Sequence, residues 1–327
     1  MFTRSSYLCA SSALKFARPA LRTGPAATTF TPYYQQQRTA VSLKELKNRL
    51  VTIKVIKKVT SSMGKLATSR LRAARDRKEF LSDPLLEINM GFLKGRGMEE
   101  FLAEDEEPVK DKELWIIIST DRGMCGATNS NITRNVKGML ANAKDSEIVL
   151  AIAGAKIASG IRRDYIQLFH TTVSELGRKG LSFVDIEPMT EMLDEVTDYD
   201  RIRIISNQWL TVLTSQIIHR MLPNPKNMAA EMKEGYYGYE FDGTDEDELF
   251  KNLQEHLTAT IIYGSLIENA AVELAARMNS MDNATTNAGK MFGSLNQLYN
   301  RTRQAGITTE LSEIISGAAA VQEQESQ

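Results

Sequence analysis

The longest pattern in the chain lies in its last third. Apolar and small residues recur there in alternating steps of three and four: Phe250, Leu253, Leu257, Thr260, Gly264, Ile267, Ala271, Leu274, Met278, Met281, Thr285, Ala288, Phe292, Leu295 and Tyr299. That spacing is the seam of a long helix laid along a partner. No proline follows Pro225, so nothing interrupts the run. A helix over 246–321 would extend about 110 Å at about 1.5 Å per residue. The core of a chain this size needs no such rod, so the rod bridges, braces or transmits something.

A second helical row lies between Pro32 and Pro84: Leu43, Leu46, Leu50, Ile53, Ile56, Val59, Met63, Leu66 and Ala73. Its pattern predicts a helix from Leu43 to Phe80, about 57 Å long. Paired antiparallel with the long helix, it covers about half of it. The stripe from Thr285 to Val321 is then left without a partner in the chain. An uncovered apolar stripe is a surface for another protein.

The texture changes between the two helices. Residues 114–119 (LWIIIS), 147–153 (EIVLAIA) and 201–206 (RIRIIS) are short β-branched runs that predict buried strands. Helical patterns follow at 129–143, 155–163 and 183–196, with Pro188 inside the last. Residues 165–173 read as extended, and 210–221 read as helix-like. Strands alternating with helices predict a mostly parallel sheet. Residues 223–245, with proline, glycine and clustered tyrosines, read as a loop or hairpin. Eight acids against two lysines make 97–113 a solvated linker. The fold class is therefore α/β: a Rossmann-like domain at 114–222 inserted between two long antiparallel coiled-coil helices, at 41–96 and 246–321, with a tail at 322–327.

Charge alters this picture in two places. Residues 1–44 hold six basic residues and no acid, while the whole chain carries −1. An acid-free leader rich in Ser, Ala and Arg has the composition of an organellar transit peptide over 1–40. The first helix holds twelve Lys or Arg against three acids. Such a stripe suits phosphate backbones, but no aromatic is interleaved before Phe80, and a partner-facing basic face explains it as well. Only Cys9 and Cys125 are present, and the three histidines are far apart in sequence. No metal-ligand spacing results, and no cofactor is expected. No run approaches the length of a membrane span.

Catalytic signals are weak. Residues 120–126 (TDRGMCG) follow the first strand, where a phosphate-cradling loop would sit, but match neither G-x-G-x-x-G nor the P-loop. The simpler reading is a tight glycine turn held by Asp121 and Arg122. Two other classes stay open on the residues alone: an α/β enzyme with helical arms, and a coiled-coil scaffold or nucleic-acid binder.

Six segments together are specific. They are LKELKNRL at 43–50, KVTSSM at 58–63, DRGMCG at 121–126, ARMNSMDNATTNA at 276–288, NRTRQAGITTEL at 300–311 and EIISGAAA at 313–320. In this order they resemble the gamma subunit of F-type ATP synthase, in its mitochondrial version. The resemblance implies a non-catalytic rotor shaft inside a hexamer of alpha and beta subunits. Its foot would sit with the delta and epsilon subunits on the membrane ring of c subunits. It implies a peripheral protein on the matrix side of the mitochondrial inner membrane, without nucleic acid as partner. By the same resemblance Met63, Arg303, Gln304, Thr308, Glu310, Ile314, Ile315 and Ala318 are contacts with the alpha/beta ring. Gly64 and Gly306 depart from the family's larger residues, and the cysteine pair of the chloroplast form is absent.

Overall fold

The computed structural model describes residues 42–94, 112–143, 147–176, 180–196, 199–224 and 246–325. The leader at 1–40, most of the acidic linker and residues 225–245 lie outside the described residues.

Helix α1 spans Leu43–Arg77. Ser42 starts it: the Ser42 hydroxyl accepts the Glu45 N–H at 3.2 Å, satisfying one of the unpaired donors of the first turn. The helical pattern predicts an end before Pro84, but the structure continues through it. A π-helical turn at Lys78–Ser82 leads into α2, Asp83–Lys94. A proline inside an α-helix loses its own N–H bond and crowds the carbonyl four residues back. The π turn absorbs this by widening the ladder, so that the Asp83 N–H reaches back to the Lys78 carbonyl.

The long helix α6 spans Glu246–Glu325. It runs antiparallel to α1 and α2. Asn89 donates to the Thr260 hydroxyl at 2.7 Å, and Ser82 donates to the Gly264 carbonyl at 2.9 Å. Further along, Gly64 faces Met281 and Asp282, and the Thr60 and Thr285 hydroxyls bond at 2.9 Å. The register corrects the expected coverage. Because α2 occupies the start of α6, α1 lies further along and pairs well beyond Thr285. Ala288 is buried, and Phe292, Leu295, Tyr299, Thr302 and Gly306 are half-buried. Every α6 side chain described beyond Gly306 is exposed.

The inserted domain is a five-stranded sheet in the order β3-β2-β1-β4-β5. Its strands are β1 (Glu113–Ile118), β2 (Ile148–Ala153), β3 (Phe169–Val173), β4 (Arg201–Trp209) and β5 (Ser215–Pro223). The first four are parallel, and β5 joins β4 antiparallel. Helices α3 (Thr128–Asn142) and α4 (Ala155–Tyr165) cover one face. The other face packs on α6, with α5 (Glu187–Glu195) beside it.

Two local expectations fail. Residues 210–221 form a hairpin and a strand instead of a helix. Ile217, Ile218, Met221 and Leu222 are spaced like one face of a helix, yet the same residues fit a strand whose burial comes from β4. Tertiary pairing decided between the two. The Thr211 hydroxyl fixes the turn by accepting the Leu213 and Thr214 N–H groups at 3.3 and 3.1 Å. Residues 165–168 are not extended either: α4 ends at Tyr165, a 3₁₀ turn covers Ile166–Leu168, and only then does β3 begin.

Candidate functional site

The loop after β1 is closed by its own side chains. The two Asp121 carboxylate oxygens accept the N–H groups of Ala155, in the first turn of α4, and Glu175, each at 2.9 Å. In doubly wound sheets a phosphate rests at such a helix start. Here an internal carboxylate holds that place. Gly154 precedes α4 with φ +125°, and a Cβ there would lie 3.0 Å from the Ser119 carbonyl carbon. Only glycine lets β1 and α4 come so close. Arg122 holds the loop through its backbone: its carbonyl accepts from Thr120 Oγ1 at 2.9 Å and from Cys125 Sγ at 3.6 Å. Cys125 is buried and its sulfur accepts from Asn129 at 3.3 Å. A cleft of about 1160 Å³ opens nearby between α1 and the strand ends, with Arg70, Arg77 and Arg122 above Leu81 and Leu266. With Asp121 already in place, it offers no phosphate cradle at the helix start.

The exposed surfaces of the two helices have a different character. Beyond Gly306, α6 presents Ile307, Leu311, Ile314, Ile315 and Val321 to solvent, with Ile314 at 69%. On α1 an outward stripe of Val51, Val55, Val59 and Leu66 is also at least half exposed. The stripe steps mainly by four, and it corrects the expected seam: Val59 and Leu66, read from the sequence as seam positions with Leu46, face outward. Charge surrounds it: among the described residues, Lys47, Lys54, Lys58 and Lys65 have no ion-pair partner. Contiguous apolar surface of this kind, flanked by unpaired charge, marks a binding face.

The residues that the resemblance assigns to the ring fall into two groups. Arg303 and Gln304 are exposed at the end of the paired stretch of α6, and Thr308, Glu310, Ile314, Ile315 and Ala318 are exposed on its free part. The Thr308 hydroxyl turns onto its own helix and donates to the Gln304 carbonyl at 2.9 Å. Met63 is half-buried beside Gly64, at the level of Asp282. That is about 30 Å along the rod from Arg303, at about 1.5 Å per residue. Met63 and the Arg303 group therefore belong to separate levels of one shaft.

A third set escapes sequence reasoning altogether. Glu268 and Asn269 of α6 are buried, at 3% and 4% exposure, against the sheet. Glu268 accepts from Arg220 at 3.2 Å and from the Trp209 N–H at 3.0 Å. Arg220 also donates to Ser206 and Ser265, each at 3.0 Å. Asn269 accepts from Asn207 at 2.8 Å and donates to the Ser119 carbonyl at 3.0 Å. Burial holds the Arg220 guanidinium below the usual arginine range, and the Glu268 carboxylate opposes this. The available signal was a glutamate and an asparagine inside an otherwise buried stretch of α6.

Comparison with known proteins places this architecture. The model of the ATP synthase family, described as "ATP synthase", matches residues 42–321. The mitochondrial ATP synthase F(1) complex subunit gamma of Rattus norvegicus is 36% identical over 284 residues, covering 86% of this chain and 99% of that protein. The Dictyostelium discoideum subunit of the same name is 34% identical over 295 residues, covering 88% of this chain and 94% of that protein. A solved chain of the Euglena gracilis mitochondrial ATP synthase, from an OSCP/F1/c-ring structure, has the same fold, with a TM-score of 0.70 and 19% identity over 85% of this chain and 94% of that one. With the paired helices, the inserted sheet and the free helical end in one register, the chain belongs to the gamma-subunit family of the F1 sector of ATP synthase.

Proposed function

We propose that this chain is the central rotor shaft of a mitochondrial ATP synthase and carries no catalytic residue itself. The observation that carries the reading is the free end of α6. From Ile307 to Val321 it exposes apolar side chains that no other part of the described chain covers. A single helix stays ordered in water mainly by burying such a face, so a partner must supply the cover. A hexamer of alpha and beta subunits enclosing the shaft would do so. Ile314, Ile315 and Ala318 would then touch the ring at the tip, Arg303, Gln304, Thr308 and Glu310 just below, and Met63 about 30 Å lower.

The mechanism follows from asymmetry. A shaft whose sides differ makes different contacts with each beta subunit at each angle. Those differences bias the conformational equilibria of the catalytic sites in turn. The foot would meet the delta and epsilon subunits and the ring of c subunits, and proton flow would turn it. The solved relatives come from F1/c-ring and rotor assemblies, which supports this arrangement. Among the described residues no helix is long and apolar enough to cross a membrane. The expected location is the matrix side of the mitochondrial inner membrane, with the leader over 1–40 removed on import.

Purification from mitochondria tests the reading. One copy of the chain per three alpha and three beta subunits is expected. A cysteine placed at Ile315 should cross-link to the ring and stop turnover until the link is reduced. Recovery of the chain free of the hexamer, or a cross-linked complex that turns over normally, would refute it.

A further inference from the structure

We infer that Glu268 and Asn269 are the torque-bearing joint between the shaft and the foot, fixing the angle of α6 against the sheet. The inference rests on the rotor reading above and adds where force passes within the chain. Two adjacent residues of one helix reach three strands or their ends. Glu268 binds Trp209 of β4 and Arg220 of β5, and Asn269 binds Asn207 of β4 and Ser119 at the end of β1. Both carboxylate oxygens of Glu268 are used, and so are both polar atoms of the Asn269 amide. Ser265, one turn before Asn269, adds a further bond to Arg220 at 3.0 Å.

The geometry matters because a helix on an apolar sheet is poorly held against rotation about its own axis. Dispersion contacts are non-directional, and ridges can shift past grooves at small cost. Charged and amide hydrogen bonds are directional and shorten the range of tolerated angles. Breaking them here would leave an ionised Arg220 or Glu268 buried and unpaired. Anchors on separate strands resist both sliding along the sheet and turning over it. α6 is held by the N-terminal helices as well, through Ser82 on the Gly264 carbonyl and Asn89 on Thr260. Higher on α6, Arg277 donates to the Gly123 carbonyl at 3.5 Å and Asn279 to the Val212 carbonyl at 2.9 Å, but these reach only loops, and among the described residues no buried polar set joins α1 to α6. There the contact between α1 and α6 is made by Gly64, Ala67, Met281 and the Thr60–Thr285 pair.

The test uses the assembled complex, with a reporter particle fixed to the foot and the hexamer fixed to a surface. The double variant Arg220→Met with Glu268→Met replaces the ion pair by apolar side chains of similar length, a change that buried pairs often tolerate. Torsional stiffness is read from the angular spread of the reporter at each dwell. The double variant should assemble and hydrolyse ATP at the unloaded wild-type rate. Its stiffness should fall by about two-fold, since directional bonds to two strands are lost. Proton pumping per ATP should drop as the opposing gradient rises. A merely structural role would lower assembly and thermal stability without changing the spread in assembled complexes. If the double variant does not assemble, Asn269→Leu supplies the same measurement from the other anchor. Unchanged stiffness in either assembled variant overturns the joint. If the wild-type reporter does not turn with ATP at all, the rotor reading itself fails instead.

Discussion

Alanine at two glycines of the shaft should change stability in opposite directions. Gly64 lies in α1 and Gly264 in α6, both at helix–helix contacts. In each helix the change gains about 1 kcal/mol of intrinsic propensity. The space available differs. At Gly64 the new Cβ would meet Asp282 Oδ1 at 3.2 Å and Met281 Cβ at 3.5 Å. The Asp282 carboxylate is the far end of an exposed side chain and can swing away. A net gain of roughly 0.5–1 kcal/mol remains. At Gly264 the Cβ would meet Leu86 at 3.0 Å from Cγ and 3.1 Å from Cδ2. Leu86 is buried, and its helix is tied to α6 by Ser82 and Asn89. It cannot yield without moving α2. Overpacking of this kind costs about 1–3 kcal/mol, which cancels or exceeds the propensity gain. The two variants should therefore differ by roughly 2 kcal/mol, or about 3 °C in melting temperature for a chain of this size. Melting of the purified variants, followed by circular dichroism, measures this. A Gly264→Ala protein that melts at or above Gly64→Ala would refute the reasoning.

Three further outcomes can be measured. Glu113 and Arg203 form a buried bidentate pair at 3.0 and 3.1 Å, with the Trp115 indole donating to Glu113 at 2.7 Å. Glu113→Gln should cost about 3–5 kcal/mol, and adding Arg203→Met should recover most of it, because only the single change strands a buried charge; additive losses in chemical denaturation would contradict this. His219 is held near a pKa of about 4, first by burial and then by the Arg203 charge. Its folded value lies below the unfolded value of about 6.5, so its contribution is full above pH 6.5 and is lost as pH falls toward 4, by at most about 3 kcal/mol. His219→Phe should flatten that acid limb, and an unchanged limb would exclude His219 as its source. Finally, deleting residues 318–327 should leave assembly and some rotation intact, because the tip offers only weak, non-directional contacts; failure to form the complex would rule out a bearing role.

Much of the fold was legible because it rests on long-range periodicity. Fifteen seam positions of α6 repeat without a break, and the β-branched runs at 114–119, 147–153 and 201–206 are hard to read otherwise. The misreadings sit where local signals mislead. Pro84 looks like a stop, yet the π turn before it carries the helix on and shifts the register of the whole shaft. Residues 217–222 are spaced like a helix, and only β4 makes them a strand. The residues proposed to meet the ring were legible only through resemblance. Exposed Arg303 and Ile314 show nothing in isolation, and their significance lies in being left uncovered. Glu268 and Asn269 were not legible, because a polar pair in a helix becomes informative only once the sheet is seen against it.

The distribution of polar groups along α6 follows the demands of a rotor. Where α6 crosses the sheet, Ser265, Glu268 and Asn269 are buried and bonded to it, which suits a contact that must not change. Along the coil with α1 the contacts are small and mostly apolar, so the two helices stiffen each other without fixing a charge pattern. Beyond Gly306 the apolar side chains face outward, where a sliding contact needs attraction without direction. Strong ion pairs there would favour one angle and raise the barrier to the next. Arg303, Gln304 and Glu310 lie at the border between these regions, and Met63 lies about 30 Å below them. Contacts at such separated levels report the same angle only if the rod between them does not twist. The pairing of α1 with α6 as far as Gly306, tied to the sheet through Glu268 and Asn269, supplies that rigidity.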